Sequence, residues 1–70
     1  MGSVAPAGPV QLSVATAEQL ESQPGIGPVT AEKIVEYRTA HGAFRSVDEL
    51  DEVPGIGPSR VEQLRGLVVP

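Results

Sequence analysis

The chain has 70 residues without a cysteine, and its nine acidic and five basic residues give a net charge of −4. This length allows one domain at most, held together by packing alone, because disulfides and thiolate metal sites are excluded. The negative balance argues against a general electrostatic attraction to nucleic acid or anionic membranes, and no run approaches the ~20 apolar residues of a membrane span.

The N-terminal stretch differs from the rest of the chain. Residues 1–9 hold prolines, glycines and alanines without charge or periodicity, which predicts a disordered linker or an expression-derived remnant, with the folded domain over residues 10–70. Residues 10–14 alternate apolar and polar side chains as a strand does, but no partner strand is visible downstream. We expect them to form an extended lead-in that packs on the core.

A short first helix is predicted over residues 17–22. Thr16, with Gln19 three residues later, forms a capping box that satisfies two otherwise orphaned backbone donors. Pro24 ends the helix, because a proline disfavours the helical conformation of the residue before it. Leu20 is expected to face inward, since a helix this short depends on tertiary packing.

A tight turn, Gly25-Ile26-Gly27, follows the first helix. Its glycines permit positive φ or a close approach of the backbone, and the isoleucine is an apolar anchor. Pro28 suits the first position of a second helix, which is predicted to end at His41. The apolar residues of this helix keep a helical period. The predicted inward set is Ala31, Ile34 and Val35, with Ala40 as a further member.

The connector leads into a third predicted helix. Phe44 is the only phenylalanine and is expected in the core. Ser46, with Glu49 three residues later, predicts a second capping box. Leu50 and Val53 are the inward residues predicted for this helix.

The second half repeats the first. The pentapeptide Pro-Gly-Ile-Gly-Pro of residues 24–28 recurs thirty residues later, so Gly55-Ile56-Gly57 forms a second turn, and residues 16–38 align on residues 46–68. A fourth helix is predicted from Pro58 to about Leu67. Its inward residues would be Val61, Leu64 and either Leu67 or Val68.

Each turn precedes a helix N-terminus, where free amides and the helix dipole attract anions and glycine admits a phosphate. Two such sites related by the repeat would form a pseudo-twofold pair, which matches the phosphates of two strands across a groove. Contacts to phosphates position a protein without reading bases. The repeat therefore predicts sequence-independent binding to duplex DNA.

The two turns, their spacing and the connector Gly42–Val47 resemble the tandem helix-hairpin-helix domain of the ComEA competence proteins, over about residues 10–69. The resemblance implies an all-α, SAM-like fold of two pseudo-twofold-related helix-hairpin-helix motifs with four main helices. It also implies a double-stranded DNA receptor for competence, transformation and DNA uptake, located outside the cytoplasm. The full-length protein would carry a membrane anchor, while this fragment would be soluble without direct membrane contact.

The family's phosphate contacts can be carried over by position. Members commonly have a basic residue where Thr30 stands, so Arg60 is the only cation in a first turn, and the second half is expected to hold DNA more tightly. The resemblance is compatible with a monovalent cation at a hairpin and implies no other cofactor. The implied phosphate-binding residues are Gly25, Gly27, Val29, Thr30, Gly55, Gly57, Ser59 and Arg60, with Lys33 as a further candidate.

Other interpretations of the same residues stay open. Gly25 and Gly27 would be needed for a tight turn whether or not anything binds, and the acidic balance favours a degenerate helix-hairpin-helix domain acting as a protein-protein interaction or scaffold module. We expect no enzyme, no catalytic residue and no small-molecule substrate, because the chain is too small to enclose a flipped base. His41 has no cysteine or second histidine beside it, so no metal site is expected.

Overall fold

The structure, a computed structural model, describes residues 8–70, so most of the linker predicted over residues 1–9 lies outside the described residues. The described part is mostly helical, with four helices and one short pair of strands. The elements in chain order are β1 (Val10–Gln11), α1 (Ala17–Glu21), α2 (Pro28–His41), a 3₁₀ helix (Val47–Glu52), α3 (Pro58–Leu64) and β2 (Val68–Val69).

The first helix follows its predicted capping. The hydroxyl of Thr16 accepts from the amide of Gln19 at 3.1 Å, and the Gln19 side chain accepts from the Thr16 amide at 2.9 Å. Leu20 is buried, as predicted. The helix ends at Glu21, one residue before the predicted end.

Helix α2 begins at Pro28 and ends at His41, in agreement with the sequence. Ala31 and Ile34 are buried, but the inward position predicted for Ala40 is wrong because this residue is exposed. Six residues past Ile34 correspond to a rotation of about 240° around the helix axis, which takes Ala40 off the buried face.

The third helix differs from its prediction. It is a 3₁₀ helix, and the second capping box is wrong because the side chain of Ser46 makes no capping hydrogen bond. The carboxylate of Glu49 accepts from the Arg45 amide at 2.8 Å and from the Tyr37 hydroxyl at 2.9 Å, so it is engaged away from the Ser46 amide. Leu50 and Val53 are buried as predicted.

The end of the chain also differs from its prediction. Helix α3 ends at Leu64 and not near Leu67, because Gly66 takes φ +85° and turns the chain. Val68–Val69 then pairs in parallel with Val10–Gln11, with Val68 opposite Val10. The lead-in therefore has a partner strand that the sequence did not indicate. Of the two alternative inward residues, Val68 is buried, while Leu67 is 42% exposed.

The core takes residues from every element, and Phe44 belongs to it as predicted. The lead-in is fixed by Leu12, which is buried and whose carbonyl oxygen accepts a 2.7 Å hydrogen bond from Nη1 of Arg38. No helix within residues 8–70 has both the length and the apolar character needed to cross a membrane. The buried apolar residues are Val10, Leu12, Ala15, Leu20, Ile26, Ala31, Ile34, Phe44, Leu50, Val53, Ile56, Val61, Leu64 and Val68.

Candidate functional site

The two repeated turns have the same local structure. Their first glycines, Gly25 and Gly55, adopt φ +74° and φ +93°, in the left-handed region that favours glycine. The amides of Ile26 and Ile56 each donate a 3.1 Å hydrogen bond to the carbonyl three residues earlier. Both isoleucines are 5% exposed, so they anchor the turns in the core as predicted. We call these turns the first and second hairpin.

The second glycines of the hairpins are in a different situation. Gly27 has φ −90° and ψ −177°, and Gly57 has φ −108° and ψ 178°. This extended backbone is open to any residue, and a Cβ added at either position would meet nothing within 4 Å. The tight turn explains Gly25 and Gly55, but neither conformation nor packing requires glycine at positions 27 and 57.

The same two glycines are the N-caps of α2 and α3. Neither helix has a side-chain cap or an acidic residue in its first turn. In contrast, α1 has Thr16 as its cap and Glu18 in its first turn, and the 3₁₀ helix begins with Asp48 and Glu49. First-turn amides have no acceptor within their helix. Both hairpins therefore present amides that no side chain caps and no carboxylate of the first turn shields.

We call the two repeats, residues 16–38 and residues 46–68, the first and the second unit. The first turns of α2 and α3 each face the hairpin of the other unit. A Cβ built on Gly25 would overlap the guanidinium of Arg60, which is half-buried and donates from Nη1 to Oε1 of Gln63. A Cβ built on Gly55 would lie 3.9 Å from Oγ1 of Thr30, the residue equivalent to Arg60. The sequence prediction missed this crossing. The repeat carries a signal for it, because residues 30 and 60 occupy equivalent positions in the two repeats, and each lies near the first glycine of the other repeat's hairpin.

Two other arginines, Arg65 and Arg38, make ion pairs or hydrogen bonds within the chain. The guanidinium of Arg65 contacts Asp48 and lies 2.9 Å from Oε2 of Glu62. Hydrogen bonds to Asp48 and then to Glu62 raise the pKa of Arg65. Arg38 donates to the lead-in, as described above. Neither arginine is among the residues predicted to hold phosphate.

The remaining predicted residues lie in the first turns or just beyond them. Val29 is 66% exposed and Ser59 is also exposed, so both can reach a ligand. Lys33 is half-buried in the second turn of α2. Within residues 8–70, no group of three or more histidine or acidic side chains is placed to hold a metal ion. The phosphate-binding roles of these residues stay predictions.

Helix, glycine turn and helix thus occur in the order of a helix-hairpin-helix motif. A sequence profile of the helix-hairpin-helix motif matches residues 6–69, nearly the whole chain. The chain belongs to the helix-hairpin-helix family. No curated protein sequence matches it. Helix-hairpin-helix motifs commonly bind DNA, and this is consistent with nonspecific DNA binding by this helix-hairpin-helix protein.

Proposed function

We propose that this helix-hairpin-helix protein binds double-stranded DNA without sequence preference, through phosphate contacts to the backbone amides of both hairpins. The observation that carries the proposal is the presence of Gly27 and Gly57 where nothing inside the chain requires glycine. Serine or aspartate at an N-cap would stabilise each helix by accepting a hydrogen bond from a first-turn amide. Glycine leaves those amides free to bind an external acceptor and lets a phosphate oxygen come close to the backbone.

Several amides are suited to this role. Pro28 and Pro58 have no N–H, so the donors of each site are the second glycine and the two residues that follow the proline. In the first unit these last two are Val29 and Thr30. Helix α2 spans 14 residues and adds a longer dipole behind its amides than the seven residues of α3.

The reciprocal contacts support a duplex as the ligand. Arg60 faces Gly25 while Thr30 faces Gly55, and this is the pattern that a twofold relation between the two units produces. We propose that the two motifs form this pseudo-twofold pair. The two strands of DNA present phosphates with the same symmetry, so each hairpin would engage one strand. Such contacts hold the backbone and carry no base information.

The net charge of −4 limits the strength of this binding. The acidic residues lie elsewhere than the first turns of α2 and α3, so the hairpins themselves are not shielded by carboxylates of those turns. The long-range field of the protein still opposes the approach of DNA. We therefore expect weak binding that falls as salt rises, because binding to the phosphates releases condensed cations from the DNA.

We also propose a biological setting from the resemblance to the ComEA competence proteins. The domain would be the extracytoplasmic DNA receptor of a DNA-uptake system, attached through a membrane anchor in the full-length protein. It would act without catalysis and without an organic cofactor. A monovalent cation at a hairpin is compatible with this role.

The test is a titration of a fluorescently labelled duplex at several salt concentrations, with the double variant Gly27→Ser, Gly57→Ser beside the wild type. If two to four phosphates are engaged, log affinity should fall against log salt with a slope of about −2 to −4. The serine hydroxyls would accept hydrogen bonds from the backbone amides that are proposed to bind phosphate, and would compete with it. We expect the variant to unfold at higher urea and to bind DNA more weakly.

The control for this experiment is Ala40→Ser, which adds the same hydroxyl at an exposed position of α2 away from the hairpins. It should leave DNA affinity unchanged. Wild-type affinity in the double variant would contradict the amide mechanism. A strong preference for one duplex sequence would contradict contacts to the backbone alone.

A protein-interaction module is the second candidate, favoured by the acidic 3₁₀ helix. Four of its six residues are acidic, and Asp48, Asp51 and Glu52 are exposed. This surface would attract a basic protein partner. Absence of duplex binding at about 20 mM salt, where electrostatic attraction is least screened, would favour this candidate over DNA.

A further inference from the structure

We propose that Arg60 supplies the cation for the first hairpin, in the other unit, and that Thr30 leaves the second hairpin neutral. This inference rests on the proposed function and assigns the charge within its site. It reverses the asymmetry expected from sequence, in which Arg60 strengthened its own half. The first hairpin, with the guanidinium beside it, becomes the tighter phosphate site.

The contact between Arg60 and Gly25 carries the inference. A methyl group at Gly25 would overlap the guanidinium, so the Cα of this glycine is in direct contact with the cation. At the equivalent place in the second hairpin, Oγ1 of Thr30 is the one atom outside the immediate chain neighbours within 4 Å of a Cβ on Gly55. A phosphate on the first hairpin would therefore contact the backbone amides and the guanidinium of Arg60. A phosphate on the second hairpin would contact backbone amides and the hydroxyl of Thr30.

The hydrogen-bond partner of Arg60 lies three positions later in α3. Gln63 accepts from Nη1 of Arg60 and leaves the charge of the guanidinium uncompensated, since an amide oxygen is neutral. Lys33 occupies the equivalent position in α2. An arginine at position 30 would face that lysine at a spacing of three residues, where like charges repel.

The first test locates the cation with Arg60→Thr. Amide shifts induced by a short duplex should shrink at Gly25 and Gly27, in the other unit, more than at Gly57 and Ser59. The slope of log affinity against log salt should become less negative by about 0.9, the value for one phosphate contact. Arg65→Thr is the control, because it removes the same charge from a residue paired with Asp48 and Glu62, and it should keep the wild-type slope.

A second test uses two matched glycines. Gly25→Ala and Gly55→Ala both place alanine at positive φ, so their unfolding midpoints should fall by similar amounts. Only the alanine at position 25 displaces the guanidinium, because the alanine at position 55 meets an ordinary contact at 3.9 Å. We expect Gly25→Ala to weaken duplex binding more than Gly55→Ala, and equal losses would overturn the inference.

The third test exchanges the two pairs while the net charge is kept. The variant carries Thr30→Arg and Lys33→Gln in α2 with Arg60→Thr and Gln63→Lys in α3. It should retain the wild-type salt slope, and the larger duplex-induced shifts should move from the first hairpin to the second. Larger shifts that stay at the first hairpin would overturn the inference alone. Failure of the wild type to bind duplex in the same experiment would overturn the proposed function and this inference with it.

Discussion

The hydroxyl of Tyr37 donates a 2.9 Å hydrogen bond to Oε2 of Glu49, and this contact joins α2 to the 3₁₀ helix. The Tyr37 ring also stacks on Phe44 at 5.3 Å and on His41 at 4.3 Å between ring centroids. The connector between the two units is thus held by one carboxylate and a short aromatic stack. The contacts of that carboxylate make the stability of the domain depend on pH.

Hydrogen bonds from the Arg45 amide and then the Tyr37 hydroxyl lower the pKa of Glu49. A carboxylate whose pKa is lower in the folded state stabilises the fold at pH values above its unfolded-state pKa of about 4.3. This stabilisation is lost as the pH falls through the folded-state pKa. We expect Glu49→Gln to lower the urea midpoint at pH 6, and the two proteins should converge as the pH falls to about 3. Glu36→Gln, exposed on α2, is the control. A difference between wild type and Glu49→Gln that does not change with pH would contradict this account.

The two hydroxyl residues that precede the short helices should differ in their contribution to stability. Thr16 forms a complete capping box, whereas the side chain of Ser46 makes no capping hydrogen bond. Thr16→Ala should therefore lower the free energy of unfolding by about 1 kcal/mol, and Ser46→Ala should lower it by much less. Urea denaturation monitored by circular dichroism measures both. Equal losses would contradict a specific contribution of the Thr16 capping box.

A side chain at Gly66 should lower the free energy of unfolding, although there is free space around this residue. Its φ of +85° is unfavourable for L residues, and a Cβ there would meet nothing within 4 Å, so the cost of substitution is one of backbone conformation. We expect Gly66→Ala to lose about 1 kcal/mol or more of unfolding free energy. Gly66→Asn should lose less, because asparagine enters the left-handed region more readily. The opposite order in urea denaturation would contradict a conformational cause.

The bond from Arg38 to the Leu12 carbonyl should control the opening of the strand pair. Removing a charged donor from this partly buried oxygen in Arg38→Met should cost about 1.5 kcal/mol. The amides of Leu12 and Ser13, which donate to Val69 and Pro70, should then exchange with solvent faster. Arg45→Met, which truncates an exposed arginine of the connector, is the control. Unchanged exchange in Arg38→Met would show that the strands hold without this bond.

Local chemistry made the hairpins predictable from sequence. Glycine and proline each restrict the backbone in a known way, so two copies of one pentapeptide identified two turns, and the helix after each turn began at its proline. The Thr16 box was predictable for the same reason, since its partners are three residues apart. These features depend on neighbours in the chain.

The features that sequence did not predict depend on distant partners. Residues 10–14 alternate as a strand does, but their partner Val68–Val69 is two residues long and shows no alternation, so the pairing of Val10 with Val68 was not predicted. The carboxylate of Glu49 was drawn from the expected box by Tyr37, twelve positions earlier, and by the amide of Arg45. The approach of Arg60 to Gly25 was not predicted either, because it is a contact between the two units.

The parallel pairing of β1 and β2 determines how the domain responds to tension. The amides of Val10, Leu12 and Ser13 donate to Leu67, Val69 and Pro70, so the first and last described segments run side by side in the same direction. A force applied between residues 8 and 70 would pull the strands lengthwise past each other. All of these hydrogen bonds would bear the load together instead of opening one after another. The domain would therefore resist stretching as a clamp and release in a single step.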